Sequence, residues 1–289
     1  ASRFRAWIEQ AHPDPEVRAL VQEQCGATLL STNYQVAAWW YGAAGCGKST
    51  LAAICKAMQR NTASARLEEL RGRFAGQPLM GASLITVDEV DTNGSINEGL
   101  LKSWISGDPV QVDRKGISAV TYASKAKWLI CSNSAPFFRD KSDGIWRRLC
   151  VVPWNHPIPE ADRIPDFAGL VLRQEGLHIL NWMLAGAVRL IQRGRFMDEA
   201  ARPAVVRELK AQARRDCDSV RGWVEDEQVA VQAGVQRTKD EVYKAYVAWC
   251  GEVHEEPLDC RPFWKGLRNL MSFQEQKTRR GPLQVRLVN

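Results

Sequence analysis

The nine residues from Gly42 to Thr50, GAAGCGKST, constrain this chain more than any other stretch. Gly42, Gly45 and Gly47 let a backbone wrap tightly and turn its N–H groups inward, a cradle for phosphate oxygens. Ala43, Ala44 and Cys46 fill the remaining loop positions, where backbone rather than side chain does the binding. The pattern is G-x-x-x-x-G-K-[ST], a phosphate-binding loop. Lys48 supplies a cation for the outer phosphates, and Ser49 a hydroxyl for Mg²⁺. Thr50 leads into a helix whose positive end faces the same anion. With glycine at about 7% of residues, a chance match in a chain this long arises about one time in a hundred. The flanks fit as well. Gln35 to Tyr41, with VAAWWY at its core, reads as a buried strand, and Ser49 to Met58 reads as a helix carrying Leu51, Ile54, Cys55 and Met58 on one side.

An acidic element is expected after such a loop. LITV (Leu84 to Val87) is a short apolar strand ending in Asp88-Glu89, forty residues after Lys48. Asp88 is placed to orient the water around Mg²⁺, and Glu89 to polarise an attacking water; Asp91 is a lesser candidate. WLICSNSAP (Trp128 to Pro136) is a further strand with Asn133 at its carboxyl end, the edge where open α/β sheets bind ligands. Asn133 is expected to reach a terminal phosphate or the attacking water. Arg147-Arg148 precede the strand Leu149 to Val152. They are either a solvated pair or an arginine finger for a neighbouring subunit. Strands alternating with helices predict an α/β domain with a mainly parallel sheet.

The 289 residues allow one large domain or two modest ones. No stretch approaches the ~20 apolar residues of a membrane span, so no membrane is expected. The opening ASRFRAWIEQ is no signal peptide. It lacks an initiator Met, as expected of a piece processed or excised from something longer. Eight cysteines, none in C-x-x-C spacing, suggest reduced thiols in a cytoplasmic protein. The net charge is +6, and the segment Arg261 to Asn289 alone holds seven basic residues against Glu275. That excess equals the charge of the whole chain. A basic end on an otherwise neutral protein favours nucleic acid as partner.

Phe4 to Leu30 reads as two helices broken at His12-Pro13-Asp14-Pro15, and Leu170 to Arg193 as one long helix. Glu208 to Asp218 is charged. A third region starts near Val220: two helices, around Tyr243–Cys250 and Phe263–Leu270, then a basic two-stranded ribbon turning at Gly281-Pro282, the pattern of a winged helix. Of the eleven tryptophans, Trp39, Trp40 and Trp182 are expected in the core rather than on bases.

GAAGCGKST, LITVDE, SGDPVQVDRK, LICSN and WRRLCVVPW, in this order and spacing, resemble the superfamily 3 helicases, ring-forming AAA+-type motors of small viruses, phages and plasmids. SGDPVQVDRK resembles the hairpin that in that superfamily projects into the ring channel and grips DNA. Lys115 matches the hairpin lysine of parvoviral Rep helicases, with Arg114 beside it. Val110 and Val112 alternate with polar residues, and Lys115-Gly116 suits a hairpin tip bearing a cation. ELRGRF (Glu69 to Phe74), EGLHILNWMLAG (Glu175 to Gly186) and YKAYVAWCGE look most like the primase-helicases of phages, plasmids and poxviruses. The resemblance implies ATP and Mg²⁺, a homo-oligomer expected to be a hexamer, single-stranded DNA in the channel, 3′ to 5′ movement, and a fused or separate primase. Cys46 stands where that subfamily has Asn. One of the two arginines matches the finger, with Arg148 the preferred position. The implied divisions are a helical collar at 1–33, the ATPase domain at 34–156, a helical extension at 157–219 and a winged-helix-like domain at 220–289, with Lys277, Arg279 and Arg280 as DNA contacts. Two rival classes stay open: a non-unwinding AAA+ ATPase such as a helicase loader, and a replication initiator that binds an origin through its basic end.

Overall fold

The computed structural model describes residues 2–90, 96–138, 143–230, 236–276 and 284–286. They form two compact units, residues 1–211 and 212–289. Asp91, Lys277, Arg279, Arg280 and the Gly281-Pro282 turn lie outside the described residues.

The first unit opens with α1 (Arg3–Ala11) and α2 (Pro15–Ala27). The break between them is chemical. The Asp14 carboxylate accepts the backbone N–H groups of Glu16 and Val17, and Pro15 starts α2 where its missing N–H costs nothing. Then come β1 (Ala37–Tyr41), α3 (Lys48–Ala57), β2 (Thr62–Ser64) and β3 (Leu84–Val87). α4 (Glu98–Ser106), a hairpin of β4 (Val110–Arg114) and β5 (Ile117–Tyr122), and β6 (Lys127–Ser132) follow. α5 (Asp143–Trp146), β7 (Leu149–Pro153) and α6 (Phe167–Arg193) complete the unit up to α7 (Ala204–Asp216), which crosses the boundary. β1 starts two residues later than its apolar run suggested, because Gln35 adopts φ +58° and cannot continue a strand.

Five strands pair in the order β2-β3-β6-β1-β7, all parallel. Every strand is short and β-branched or aromatic, and β1, β3, β6 and β7 are buried on both faces, as parallel sheets covered by helices require. Trp39 and Trp40 point to opposite faces. Trp39 meets Phe138 edge-on at 5.9 Å. Trp40 lies 5.1 Å from Trp154, and its indole N–H donates to Gln24 on α2 at 2.7 Å. Burying an aromatic side chain of this size contributes about 3 kcal/mol.

The two opening helices share the sheet's core instead of standing apart. α2 meets α6 backbone to backbone. A Cβ on Gly26 would fall 2.3 Å from the Ala187 nitrogen, and one on Gly186 2.2 Å from the Gln22 carbonyl. Beside that contact the buried Glu23 carboxylate takes Arg189 at 3.1 Å and also Arg193, both from α6. Glu175, the one non-helical residue inside α6 (φ −132°), accepts the Arg3 N–H at 2.8 Å and the Ser2 hydroxyl, so α6 kinks where it holds the start of α1.

In the second unit α8 (Ser219–Asp226), β8 (Gln236–Thr238), α9 (Lys239–Glu252), α10 (Cys260–Leu270), β9 (Gln274–Gln276) and β10 (Gln284–Arg286) give the element order of a winged helix. The expected two-stranded ribbon is a three-stranded antiparallel sheet, β8-β10-β9. Its core is aromatic: Tyr246 and Phe263 stack at 4.6 Å, with Trp223 edge-on to Tyr246 at 6.0 Å. The expected break near Val220 falls eight residues into this unit. Among the described residues no helix is long and apolar enough to cross a membrane.

Candidate functional site: a phosphate loop at the strand ends

Parallel pairing brings three strand ends together. Tyr41 is in register with Ser132, and Val87 with Ile130. The next residues, Gly42, Asn133 and Asp88, therefore leave the sheet at the same edge. The Gly42 N–H donates to the Ser132 carbonyl at 3.1 Å. Gly42 has no room for a side chain, since a Cβ there would lie 2.1 Å from the Trp154 carbonyl oxygen. Gly47, at φ +92°, ends the loop in a conformation that only glycine adopts without strain.

Lys48 is buried, and its ammonium donates to the carbonyls of Gly42 at 2.6 Å and Ala43 at 2.8 Å and to Asn133 Oδ1 at 3.1 Å. Burial holds its pKa below the ordinary lysine value, opposed by the Cys46 and Cys131 thiols. Asn133, a strand-end residue, thus touches the loop's own cation. Cys131 is pushed up to about 12, by burial first and then by the Asp88 charge, with Lys48 working against the rise. That thiol lies within electrostatic reach of both Lys48 and Asp88. Cys46 is buried with its pKa raised by burial, so it is a neutral packing residue in the loop. Ala43, Ala44, Gly45 and Ser49 are exposed, and Thr50 is half-buried.

Beside the loop lies an open cleft of about 1040 Å³, lined by Asp88, Glu89, Val90, Asn133 and Ser134 from the strand ends, by Ser64 at the end of β2, and by Ala65, Arg66, Glu68 and Glu69 after it. Asp88 and Glu89 are exposed to it. Arg66, Glu68 and Glu69 are lining residues that motif reasoning missed as site residues. Of the three, only Glu69 carried a signal, as the first residue of ELRGRF. Arg66 and Glu69 are an exposed ion pair at 3.6 Å. Among the described residues no three His, Cys, Asp or Glu side chains group tightly enough to hold a metal by themselves. The exposed Ser49 hydroxyl and Asp88 carboxylate are oxygen donors of the kind Mg²⁺ takes when phosphate and water supply most of its shell.

The arginine pair is not in this cleft. Ala37, at the start of β1, donates its N–H to the Arg148 carbonyl at 2.8 Å. The four steps of β1 to Tyr41, at about 3.3 Å each, put about 13 Å of sheet between that end and the loop. The Arg148 guanidinium is half-buried, donating to Ser106 Oγ and to the Gly144 carbonyl at 2.7 Å, and burial lowers its pKa. Arg147 is exposed.

The hairpin β4–β5 turns at Lys115-Gly116, as expected, with Arg114 paired to Ile117. Lys115 is exposed. Arg114 is spent on the turn itself, its guanidinium donating to the Ser118 carbonyl at 2.9 and 2.8 Å. The segment after the cleft braces the hairpin. Gln77 Oε1 accepts the Lys115 N–H at 3.0 Å, Arg73 pairs with Asp113 at 3.6 Å, and the Gly81 N–H donates to the Tyr122 hydroxyl at 2.9 Å.

Fold and site together define a P-loop α/β domain. A family of unknown function, DUF5906, matches residues 40–148, from the strand before the loop to the arginine pair. Among solved structures, the A form apo structure of the NrS-1 C terminal region aligns with a TM-score of 0.59 at 14% identity, covering 99% of this chain and 75% of that one. A second apo structure of the same region gives 0.60 at 15% identity over the same shares. At these identities the likeness is one of fold. A ligand-bound structure of JCV helicase aligns with a TM-score of 0.43 at 16% identity, over 84% of this chain and 63% of that one.

Proposed function

We propose that this chain is the motor part of a ring-forming, ATP-hydrolysing DNA helicase of the superfamily 3 type, working in the replication of a phage, plasmid or viral genome. The observation that carries the reading is the buried Lys48 ammonium, held by Gly42, Ala43 and Asn133 at the strand edge where Asp88 and Glu89 also end. A buried cation with only carbonyl partners favours an incoming anion. Phosphates entering the loop take over these contacts, and Asn133 is released to hold the terminal phosphate or the attacking water. Glu89 accepts that water's proton. Bound Mg²⁺, held by Ser49 and Asp88, supplies charge neutralisation on the outer phosphates.

The arginine pair stands at the far end of the sheet and cannot serve its own loop. This supports a finger acting on the neighbouring subunit, and Arg147 suits that task better than Arg148, whose guanidinium already has two internal partners. The exposed Lys115 at a braced hairpin tip supports a DNA grip in the channel and weighs against a loader without unwinding. The collar role of residues 1–33, a hexameric ring, 3′ to 5′ polarity and DNA contacts by the basic end belong to the same proposal.

The test is ATP-dependent displacement of a labelled strand from duplexes carrying either a 3′ or a 5′ single-stranded tail. The expected result is displacement on the 3′-tailed substrate. ATP turnover without displacement on either substrate would favour the loader reading.

A further inference from the structure

The long helix α6 has two apolar faces, and the fold covers one of them. Ile179, Met183, Ala187 and Leu190 are buried, on the side that meets α2. After the kink at Glu175 a second row stays exposed: Leu177, Asn181, Leu184, Val188 and Ile191. Leu177 and Ile191 are 71% and 60% exposed. Although 25% of the chain is charged, no exposed position of α6 from Gln174 to Gln192 holds Asp, Glu, Lys or Arg. Glu175 and Arg189 are half-buried and engaged with the first helices, Glu175 through Ser2 and Arg3 and Arg189 through Glu23. A helix that is apolar on both sides is expected to be covered on both.

The spacing of the exposed row fits one kind of cover. Its steps of four, three, four and three residues are those of a heptad seam, which packs against another helix. The row runs about 21 Å, at about 1.5 Å per residue. Leu177, Leu184 and Ile191 share one seam position, and Asn181 and Val188 share the other. Leucine at the first position with a β-branched residue at the second favours two parallel helices, and a single asparagine at the second fixes their register. We propose that this face pairs with α6 of a second copy of the chain, parallel and in register, with Asn181 against Asn181. Like residues then meet across a two-fold axis. The contact therefore differs from those that close a ring, which join unlike faces. It adds a second interface to the proposed motor and requires neither ATP nor DNA. A contact one helix wide buries less than the roughly 1,200 Å² of a stable complex, so the pairing is weak and depends on concentration.

The test places a cysteine in the seam of the full chain. Asn181→Cys is made in a Cys260→Ala background, which removes an exposed thiol. It is oxidised with diamide, which takes up the two electrons and two protons released by each disulfide. In-register pairing predicts a covalent dimer on a non-reducing gel and no larger species, since each chain offers one such position. Adding Leu184→Glu, at an exposed position, should reduce the dimer about tenfold or more. Asn181→Val should tighten self-association in sedimentation by about tenfold, because a polar seam residue sets register at a cost in stability. At high dilution, Leu184→Glu should melt at the parent's temperature. No dimer from Asn181→Cys, or one that survives Leu184→Glu, would overturn the pairing. A disulfide between mixed Asn181→Cys and Val188→Cys chains, in place of the 181–181 one, would overturn the parallel register. A lower melting temperature for dilute Leu184→Glu would assign the face to another part of the same chain and overturn the proposal.

Discussion

Lys48 and Lys115 are the two cations on which the proposed motor turns, and their surroundings are opposite. Lys48 is buried, has three oxygen acceptors, and sits where three strand ends fix the backbone around it. Lys115 is exposed at a two-residue turn, with its backbone held by Gln77 and its ammonium facing solvent. A buried cation is set by the fold before any ligand arrives, whereas an exposed one is available to whatever anion passes. The first suits chemistry that demands fixed geometry. The second suits a contact made and released on every step. One stretch of chain touches both places: Ser64, Ala65, Arg66, Glu68 and Glu69 line the cleft, and Arg73, Gln77 and Gly81 brace the hairpin.

The largest effect that would break this contrast lies at the buried end. Lys48→Ala removes the loop's cation and should lower ATP affinity by about a hundredfold or more, as expected for losing a buried charged contact worth about 3 kcal/mol. Glu89→Gln should keep ATP binding and lose hydrolysis, because it touches only water activation. Equilibrium binding and steady-state turnover on the same samples separate the two variants. Near-parental turnover by Glu89→Gln would assign the base to another carboxylate of the cleft.

A second effect sharpens the contrast between subunits. Arg147→Ala should abolish ATPase in assembled rings, and mixing it with Lys48→Ala should restore part of the rate. Some mixed interfaces then pair an intact loop with an intact arginine. Arg148→Ala should instead lower thermal stability, because Ser106 and the Gly144 carbonyl lose their partner. No restoration on mixing would remove the arginine from the neighbouring site.

Acid should act on the buried core beside the loop. His12 is buried with its ring 4.3 Å from that of Trp154, whose carbonyl leaves Gly42 no room for a side chain. Burial, and then the charges of His156 and Arg18, push the His12 pKa from 6.5 down to about 4. The unfolded chain therefore binds more protons than the folded one between these values. This contribution to stability is complete above about pH 6.5 and is lost as pH falls toward about 4, by about 2–3 kcal/mol at the lower end. Thermal melts from pH 7 to 4 should show the loss. His12→Phe should flatten it, and an unchanged slope in that variant would place the acid sensitivity elsewhere.

The buried region was also the more legible one in sequence. Gly42, Gly47 and Lys48 are dictated by backbone geometry that tolerates few residues, so nine letters announce them. Asp88 and Asn133 follow from apolar runs ending at one sheet edge. What stayed hidden had no period or residue type to mark it. The segment 158–163, whose Ile158 N–H donates to the Gly45 carbonyl, is a loop held by single hydrogen bonds. The α2–α6 contact depends on two glycines meeting across 160 residues (Gly26 and Gly186). β8 is three residues, Gln236–Thr238, with no apolar alternation, and it pairs with the distant strand β10. The turn-bracing role of Arg114 is likewise invisible until the hairpin closes on the Ser118 carbonyl.

The exposed cation offers the most direct test of the motor. Unwinding and ATPase should be measured on the same preparation of the parent chain and of Lys115→Ala. The variant should fold normally, since an exposed lysine contributes within about half a kcal/mol to stability. The proposed mechanism predicts basal ATPase close to the parent's, reduced stimulation by single-stranded DNA, and strand displacement reduced about tenfold or more, the loss of one phosphate grip at every step. Strand displacement that survives Lys115→Ala intact would contradict movement of DNA by this hairpin and leave the buried site as an ATPase in search of another output.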